Sequence, residues 1–342
     1  VPEFIIIGGG FAGYFTALRA FDQHIPFLLI EDDTIPPCSL ISPAMINPVV
    51  FKRITLSWNF FNILESLKKL NLICQKHLGK PYLHEITIYQ LLNPQQIKQW
   101  QSKQNDDTLC DFYLGIQSID WFGQEVPVAA VKGWWWNSSG FFSDMKKFLT
   151  AHGLLIQQHF DDSQLHIAKN FVQTGPIKAS HIIFCRGYSE TSGKFFGNLP
   201  FKPVGGHLFH LNLKHSLTKH TLYVKDKFLW MTGTNTAIFG SSYIWDLSTE
   251  NFMLAASSLK KDLDLLGIKD YTITSIHQGI RPSMKDRRPV AGPHPLYPNV
   301  LINNGGGTKG TGVYAYTSGI LLENLLNSKP IPAEILPSRF KL

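Results

Sequence analysis

The sequence predicts an α/β fold in which a nucleotide-type unit is built from both ends of the chain, with antiparallel sheet inserted between them. Three observations carry this. Residues 4–31 read strand, glycine turn, helix, strand; residues 85–92 and 206–242 read as half-exposed or successive short strands; residues 300–326 close with strand, glycine run and helix. At 342 residues the chain exceeds one ordinary hydrophobic core, so two domains are expected.

The elements follow in order. Residues 4–7 (FIII) form an apolar run suited to a buried parallel strand, residues 14–21 have helical apolar spacing, and FLLI before Glu31 is a second buried strand. From Asp32 to Pro48 the chain is polar and broken by prolines, which predicts an extended loop with neither helix nor strand. Helical spacing returns over 57–78. A strand is expected at 85–92 (EITIYQLL), where apolar and polar residues alternate. A polar helix over 93–104 starts with Asn93 as cap and Pro94 in the first turn, where no backbone donor is needed. Next come a helix at 141–152, a short strand at 154–157, a hairpin around 164–174 and the buried strand IIFC ended by Gly187. Strands GHLFHLNL, HTLYVK, KFLWMT and AIFGSS, a helix at 251–266 and a strand at 271–278 complete the middle. The triplet Trp134 to Trp136 is expected to pack in the core.

Hydrophobic residues make up 44% and charged residues 17%, below the usual share of about a quarter, which excludes a disordered or collagen-like chain. Thirty-two basic against 25 acidic residues leave +7, which favours solubility first and anionic partners second. Residues 285–288 (KDRR) are the densest basic cluster and too short for a nucleic-acid tail. The four cysteines form no C-x-x-C pair, and His207, His210 and His277 no metal-like pattern, so neither a zinc site nor a disulfide framework is expected. The beginning of the chain lacks the marks of a signal peptide, and no apolar run reaches spanning length; a reducing, cytoplasmic setting without a membrane span is the expectation.

Chemistry first appears in IIIGGGFAG. Gly8-x-Gly10-x-x-Gly13 follows a strand and opens a helix: Gly8 permits the tight turn, Gly10 lets backbone approach a pyrophosphate, and Gly13 allows helix to pack on strand. Glu31 ends the next strand, where an acid accepts ribose hydroxyls. The motif indicates a dinucleotide and leaves FAD and NAD open.

Four stretches together resemble the FAD-dependent oxidoreductase family of the D-amino acid oxidase, glycine oxidase and sarcosine oxidase type. They are IIIGGGFAG through LLIEDD, CSLISPAMINPVVFKRITLSW, IIFCRGY, and GIRPSMKDRRPVAGPHPLYPNVLINNGGGTKGTG. The resemblance implies a Rossmann-like FAD-binding domain of glutathione-reductase-type topology, 1–80, 140–200 and 277–342, with an inserted antiparallel-sheet substrate domain, 81–139 and 201–276, roofing the flavin. It implies non-covalent FAD held by Gly8, Gly10, Phe11, Ala12, Gly13, Glu31, Asp32, by Ser39, Ser42, Pro43, Ala44 and Met45, by Gly187, and by Gly305, Gly306, Gly307, Thr308, Lys309 and Gly310. Ala44 stands where the family pattern has glycine.

Arg281, in GIRP, falls where several family oxidases hold a substrate carboxylate, a task suited to a fixed, bidentate cation; a salt bridge within the fold or a cofactor phosphate are its other uses. Tyr243 and Tyr223 are candidate partners. Backbone amides at 305–310, with Lys309, can stabilise negative charge on a flavin. The implied reaction is oxidation of a carbon–nitrogen bond in a small amine or amino acid by hydride transfer to flavin N5, followed by imine hydrolysis, with dioxygen or another acceptor taking the electrons. Two other readings stand beside it: oxidative modification of a transfer RNA wobble uridine, which the +7 charge favours, and FAD binding without catalysis.

Overall fold

The computed structural model describes residues 2–32, 34, 37–268 and 270–341; Asp33, Ile35 and Pro36 of the expected loop lie outside the described residues. A six-stranded sheet runs in the order Val290–Pro293, Val300–Asn304, His181–Phe184, β1 (Phe4–Ile7), β2 (Phe27–Glu31) and Leu155–Gln157. All neighbours are parallel except the first pair. The apolar runs read from sequence are these strands, and both faces of β1 are buried because helices cover one side and a smaller sheet the other. Helix α1 (Phe11–Asp22) connects β1 to β2 and packs against the final helix, Gly310–Asn327, and the helix Phe60–Leu78. Arg19 ties the three together, donating to the carbonyls of Ser66 and Ala315 at 3.0 Å each.

The other large sheet has nine strands. Its path is Tyr271–Arg281, Val204–Leu213, Thr236–Gly240, Phe228–Met231, Thr221–Val224, Leu83–Leu91, Gln124–Trp136 and Met45–Ile46, with Tyr113–Trp121 paired to Gln124–Trp136. It is mostly antiparallel, but Thr221–Val224 and Leu83–Leu91 run parallel, so this sheet is mixed. Trp134 and Trp136 are buried, whereas Trp135 is half-buried, its ring against His220 and Trp230.

Several elements differ from the sequence reading. The hairpin Tyr113–Trp121 with Gln124–Trp136 was not anticipated; its turn residues Phe122 and Gly123 both have positive φ, 53° and 84°, and a phenylalanine in the first place hides the usual Asn-Gly signal. The expected loop contains one helical turn, α2 (Cys38–Ile41), after Pro37, and the short strand Met45–Ile46, drawn into order by pairing with Trp134 and Trp135. Val290–Pro293 pairs as an edge strand with Val300–Asn304, despite its glycine and terminal proline. The polar helix Pro94–Gln101 carries the expected cap: Asn93 and Gln96 bond reciprocally, each at 2.9 Å.

Candidate active site

In the six-stranded sheet β1 has β2 on one side and His181–Phe184 on the other, so the connections leave in opposite directions at its carboxyl end. Such a switch point opens a crevice. Here it leads into a cavity of about 1910 Å³ that extends to the nine-stranded sheet. Gly8, Gly10, Phe11, Ala12, Glu31, Asp32, Ser39, Ser42, Pro43, Met45, Gly187, Arg281, Gly307, Thr308, Lys309 and Gly310 all line it.

The other four candidates shape the wall without lining it. A Cβ on Gly13 would stand 1.9 Å from the Gly8 carbonyl oxygen, so only glycine lets α1 sit this close to β1. Ala44 is buried with φ 52°, the left-handed backbone that favours glycine, and the Trp136 amide holds its carbonyl at 3.1 Å. Gly305 and Gly306 pack under Met284 and Tyr314, and the Gly306 amide donates to the Tyr314 hydroxyl at 2.9 Å.

The glycine turn leaves room that side chains would close. A Cβ at Gly8 would meet the Cys185 carbonyl oxygen at 2.6 Å and one at Gly9 the Glu31 carboxylate at 1.8 Å, whereas Gly10 faces only Ser39 Oγ at 3.3 Å. Ser39 Oγ in turn accepts from the Phe11 amide, 3.3 Å away, at the start of α1, which has no acidic residue in its first turn. Glu31 receives the Tyr14 hydroxyl at 2.9 Å and lies 3.4 Å from Lys146. Burial, then Glu31, raises the Tyr14 phenol, which stays protonated. Thr34 and then His159 hydrogen-bond Asp32 and hold its carboxyl at about 2. Beyond lies a fork that the motifs did not single out. Arg186 binds Asp162 at 2.8 and 2.9 Å and Glu190 at 2.8 and 3.1 Å. Burial works against its charge, but the two carboxylates outweigh it and leave the guanidinium above its ordinary value. The four-residue spacing of Arg186 and Glu190 was the available signal.

At the opposite end the cavity is cationic. Arg281 ends the strand Tyr271–Arg281; its Nη1 donates to the Gly205 carbonyl at 3.4 Å, its guanidinium lies 5.1 Å from the Tyr243 ring centre, and no carboxylate pairs with it among the described residues. Burial lowers its pKa, with Tyr243 and Cys38 opposing. Tyr243 lines the cavity; Tyr223 is buried against Tyr89 and Trp121 and does not. Lys309 precedes the final helix, donates to Ser57 Oγ and likewise has no carboxylate partner among the described residues. The residue is exposed to the cavity, yet protein crowds its other sides, and burial, then Arg53, lowers its pKa to about 8. Burial pushes the Cys38 thiol up to about 11, against Arg281. His207 bonds Ser242, His210 and His277 meet at a tilt with ring centres 4.6 Å apart, and no metal-binding cluster occurs among the described residues.

The model for FAD dependent oxidoreductases matches residues 3–321. The chain belongs to that family. The oxidoreductase is similar in structure to iminodiacetate oxidase from Chelativorans sp. BNC1 (14% identity, TM-score 0.75, 97% of each chain covered). It is also similar to glycine oxidase from Geobacillus kaustophilus (15%, 0.73, 99% of each chain). L-proline dehydrogenase from P.horikoshii is a third (13%, 0.69, 96% of this chain and 94% of that one). At such identities the likeness is one of fold. The cavity fits the family's cofactor: its glycine cradle lies at a helix start, its length joins the switch point to the second sheet, and its unpaired cations stand at the far end. No helix is long and apolar enough to cross a membrane among the described residues.

Proposed function

We propose that this oxidoreductase oxidises a carbon–nitrogen bond in a small amine or amino acid, with FAD held non-covalently. The observation that carries the reading is Arg281, a half-buried cation facing the cavity with no carboxylate of its own among the described residues. A desolvated guanidinium is poorly satisfied by one long bond to a carbonyl, and a substrate carboxylate supplies the bidentate partner it lacks. The names of the similar proteins, two oxidases and a dehydrogenase of amino-acid-like compounds, support the same class.

Bound FAD would supply the hydride acceptor at the carbon that bears nitrogen, and water would hydrolyse the resulting imine to a carbonyl compound and ammonia or, from a secondary amine, an amine. The chain's own groups position. The amides of Gly10, Phe11 and Ala12 at the start of α1, with Ser39, take the pyrophosphate, and Glu31 the adenosine ribose. The segment Ser42, Pro43, Ala44 and Met45, Gly187, and the turn Gly305, Gly306, Gly307, Thr308 and Gly310 enclose the ring. Arg281 fixes the substrate carboxylate, with Tyr243 beside it. Lys309 and the helix start put positive potential where electrons arrive. No group on the chain must take a proton from carbon, which suits the Arg281 end of the cavity, where no His–Asp pair occurs among the described residues. The proposal divides the chain into cofactor segments 1–80, 140–200 and 277–342 and substrate segments 81–139 and 201–276.

The test is anaerobic titration of the FAD-loaded protein with amines and amino acids, read as loss of visible flavin absorbance. At least one is expected to bleach it; failure of every amine removes the proposal. Arg281→Ala should lower kcat/KM by about 100-fold, roughly 3 kcal/mol for an unpaired carboxylate, while FAD stays bound. Loss of FAD instead would assign the arginine to the cofactor.

A further inference from the structure

Strand register places one side of the nine-stranded sheet against the cavity. Gly206 and Leu208 share a face, and Leu208 pairs with Gly240, Gly240 with Phe228, and Phe228 with Val224, two residues beyond Leu222. Arg281 stands on that face too, through Gly279, which pairs with Gly206. The cavity is lined by Leu208, Leu222, Val224, Phe228 and Arg281 alike.

The two glycines shape this surface. A Cβ on Gly206 would come within 2.7 and 2.9 Å of the Arg281 nitrogens, so its absence makes room for the guanidinium. A Cβ on Gly240 would meet Leu208 Cδ2 at 2.5 Å and Phe228 Cζ at 3.6 Å, so both side chains close over one bare patch of backbone and form a continuous apolar surface. Asp226 and Lys227, in the turn beyond Val224, line the same cavity; the Lys227 ammonium already has the Asp262 carboxylate at 3.6 Å and lies 5.7 Å from the Tyr243 ring centre.

We propose that the substrate carries, besides its carboxylate, an uncharged branched-aliphatic or aromatic substituent that lies on Leu208, Phe228, Val224 and Leu222. This rests on Arg281 as the carboxylate anchor. With the carboxylate fixed at one edge of the sheet, the remainder of the molecule has hydrocarbon to cover. A charged substituent lying on those four side chains loses hydration with no charged partner among them, whereas an apolar one removes water from two surfaces at once.

The experiment uses FAD-loaded protein and anaerobic flavin reduction by both enantiomers of leucine, methionine and phenylalanine and by N-benzylglycine, against glycine, sarcosine, aspartate and lysine. The best apolar compound is expected to exceed each small or charged one in reduction rate over apparent Kd by at least about 10-fold, the scale at which apolar pockets discriminate. Phe228→Ala should narrow that lead and leave FAD affinity within about twofold; Phe228→Leu serves the same purpose if the alanine variant does not fold. Fastest reduction by glycine, sarcosine or a charged amino acid overturns the inference while leaving the function in place. Weakened FAD binding in the Phe228 variants with an unchanged ranking overturns it too, by giving this face to the cofactor. No reduction by any amine removes the function and this inference together.

Discussion

Lys309 is held between a hydroxyl that fixes it and surroundings that disfavour its charge. Ser57 Oγ accepts from its ammonium and donates to the Asn47 carbonyl at 3.1 Å, so the side chain is tied to the wall of the cavity. Burial, then Arg53, lowers its pKa from 10.5 to about 8. Between those values the unfolded chain binds the proton and the folded one has released it, so stability rises with pH through this window. Below about 8 both states carry the proton and the full destabilisation is felt. Lys309→Met, without a charge to desolvate, should gain denaturant midpoint over the parent at pH 7.5 in the FAD-free protein, and the gain should shrink by pH 10. An equal difference at both values would sink this account of the lysine. That this residue and Arg281 line the cavity was legible because the family resemblance carries the glycine turn and Gly-x-Arg-Pro as motifs. The choice between Tyr223 and Tyr243 was not. Tyr223 lies between Leu222 and Val224, which line the cavity, so strand alternation turns it to the opposite face, and that parity is fixed only by pairing with distant strands.

Among the elements, the strand Val204–Leu213 shows how a sheet can prepare a site by leaving side chains out. Gly206 stands opposite Gly279, and a methyl group on it would enter the space of the Arg281 guanidinium and come 2.5 Å from the Ser242 carbonyl. The carbonyl belongs to backbone and the guanidinium is the more mobile neighbour, so the arginine gives way first. Gly206→Ala should therefore raise the apparent Kd of a carboxylate substrate by about 10-fold and reduce stability by roughly 1–3 kcal/mol, as overpacking does. Anaerobic titration and chemical denaturation measure the two. Unaltered substrate affinity would mean that Arg281 does not need its present position. Periodicity had revealed strands and helices with one buried face, among them Leu83–Leu91 and Phe60–Leu78. It failed for Gln124–Trp136, where Val128 to Val131 are buried on both faces and no alternation survives. It also failed for α2, a single turn whose order comes from tertiary contact, Cys38 and Ile41 resting on Gly279.

For the whole molecule, the cavity is the seam between two sheets, and this governs both stability and cofactor release. Strands from residues 4–7, 27–31, 155–157, 181–184 and 290–304 meet in one sheet, whose carboxyl ends form one wall of the cavity, while the other wall comes from the nine-stranded sheet. Composition foretold a large interior and the motifs its two ends; the mixed course of the second sheet was hidden, because pairing of Thr221–Val224 with Leu83–Leu91 joins residues far apart in sequence. Part of the cluster at 285–288 pairs within the chain: Asp286 binds Arg339 at 2.9 Å and, at the surface, Arg288 lies 3.4 Å from Glu334. A ligand that fills the seam binds only the folded chain, so at 100 times its Kd it adds about 2.7 kcal/mol. For a protein of this size, with an unfolding entropy of about 2 cal/mol/K per residue, that is a rise of roughly 3–5 °C in Tm, read by differential scanning fluorimetry with and without FAD. Nucleophiles near the seam are restrained, since the Cys38 thiol is raised to about 11 and His159 is engaged by Asp32. Acid precipitation of the FAD-loaded protein should consequently leave all flavin absorbance in the supernatant. Colour that stays with the precipitated chain would show a covalent bond, and an unchanged Tm would place the cofactor outside the seam.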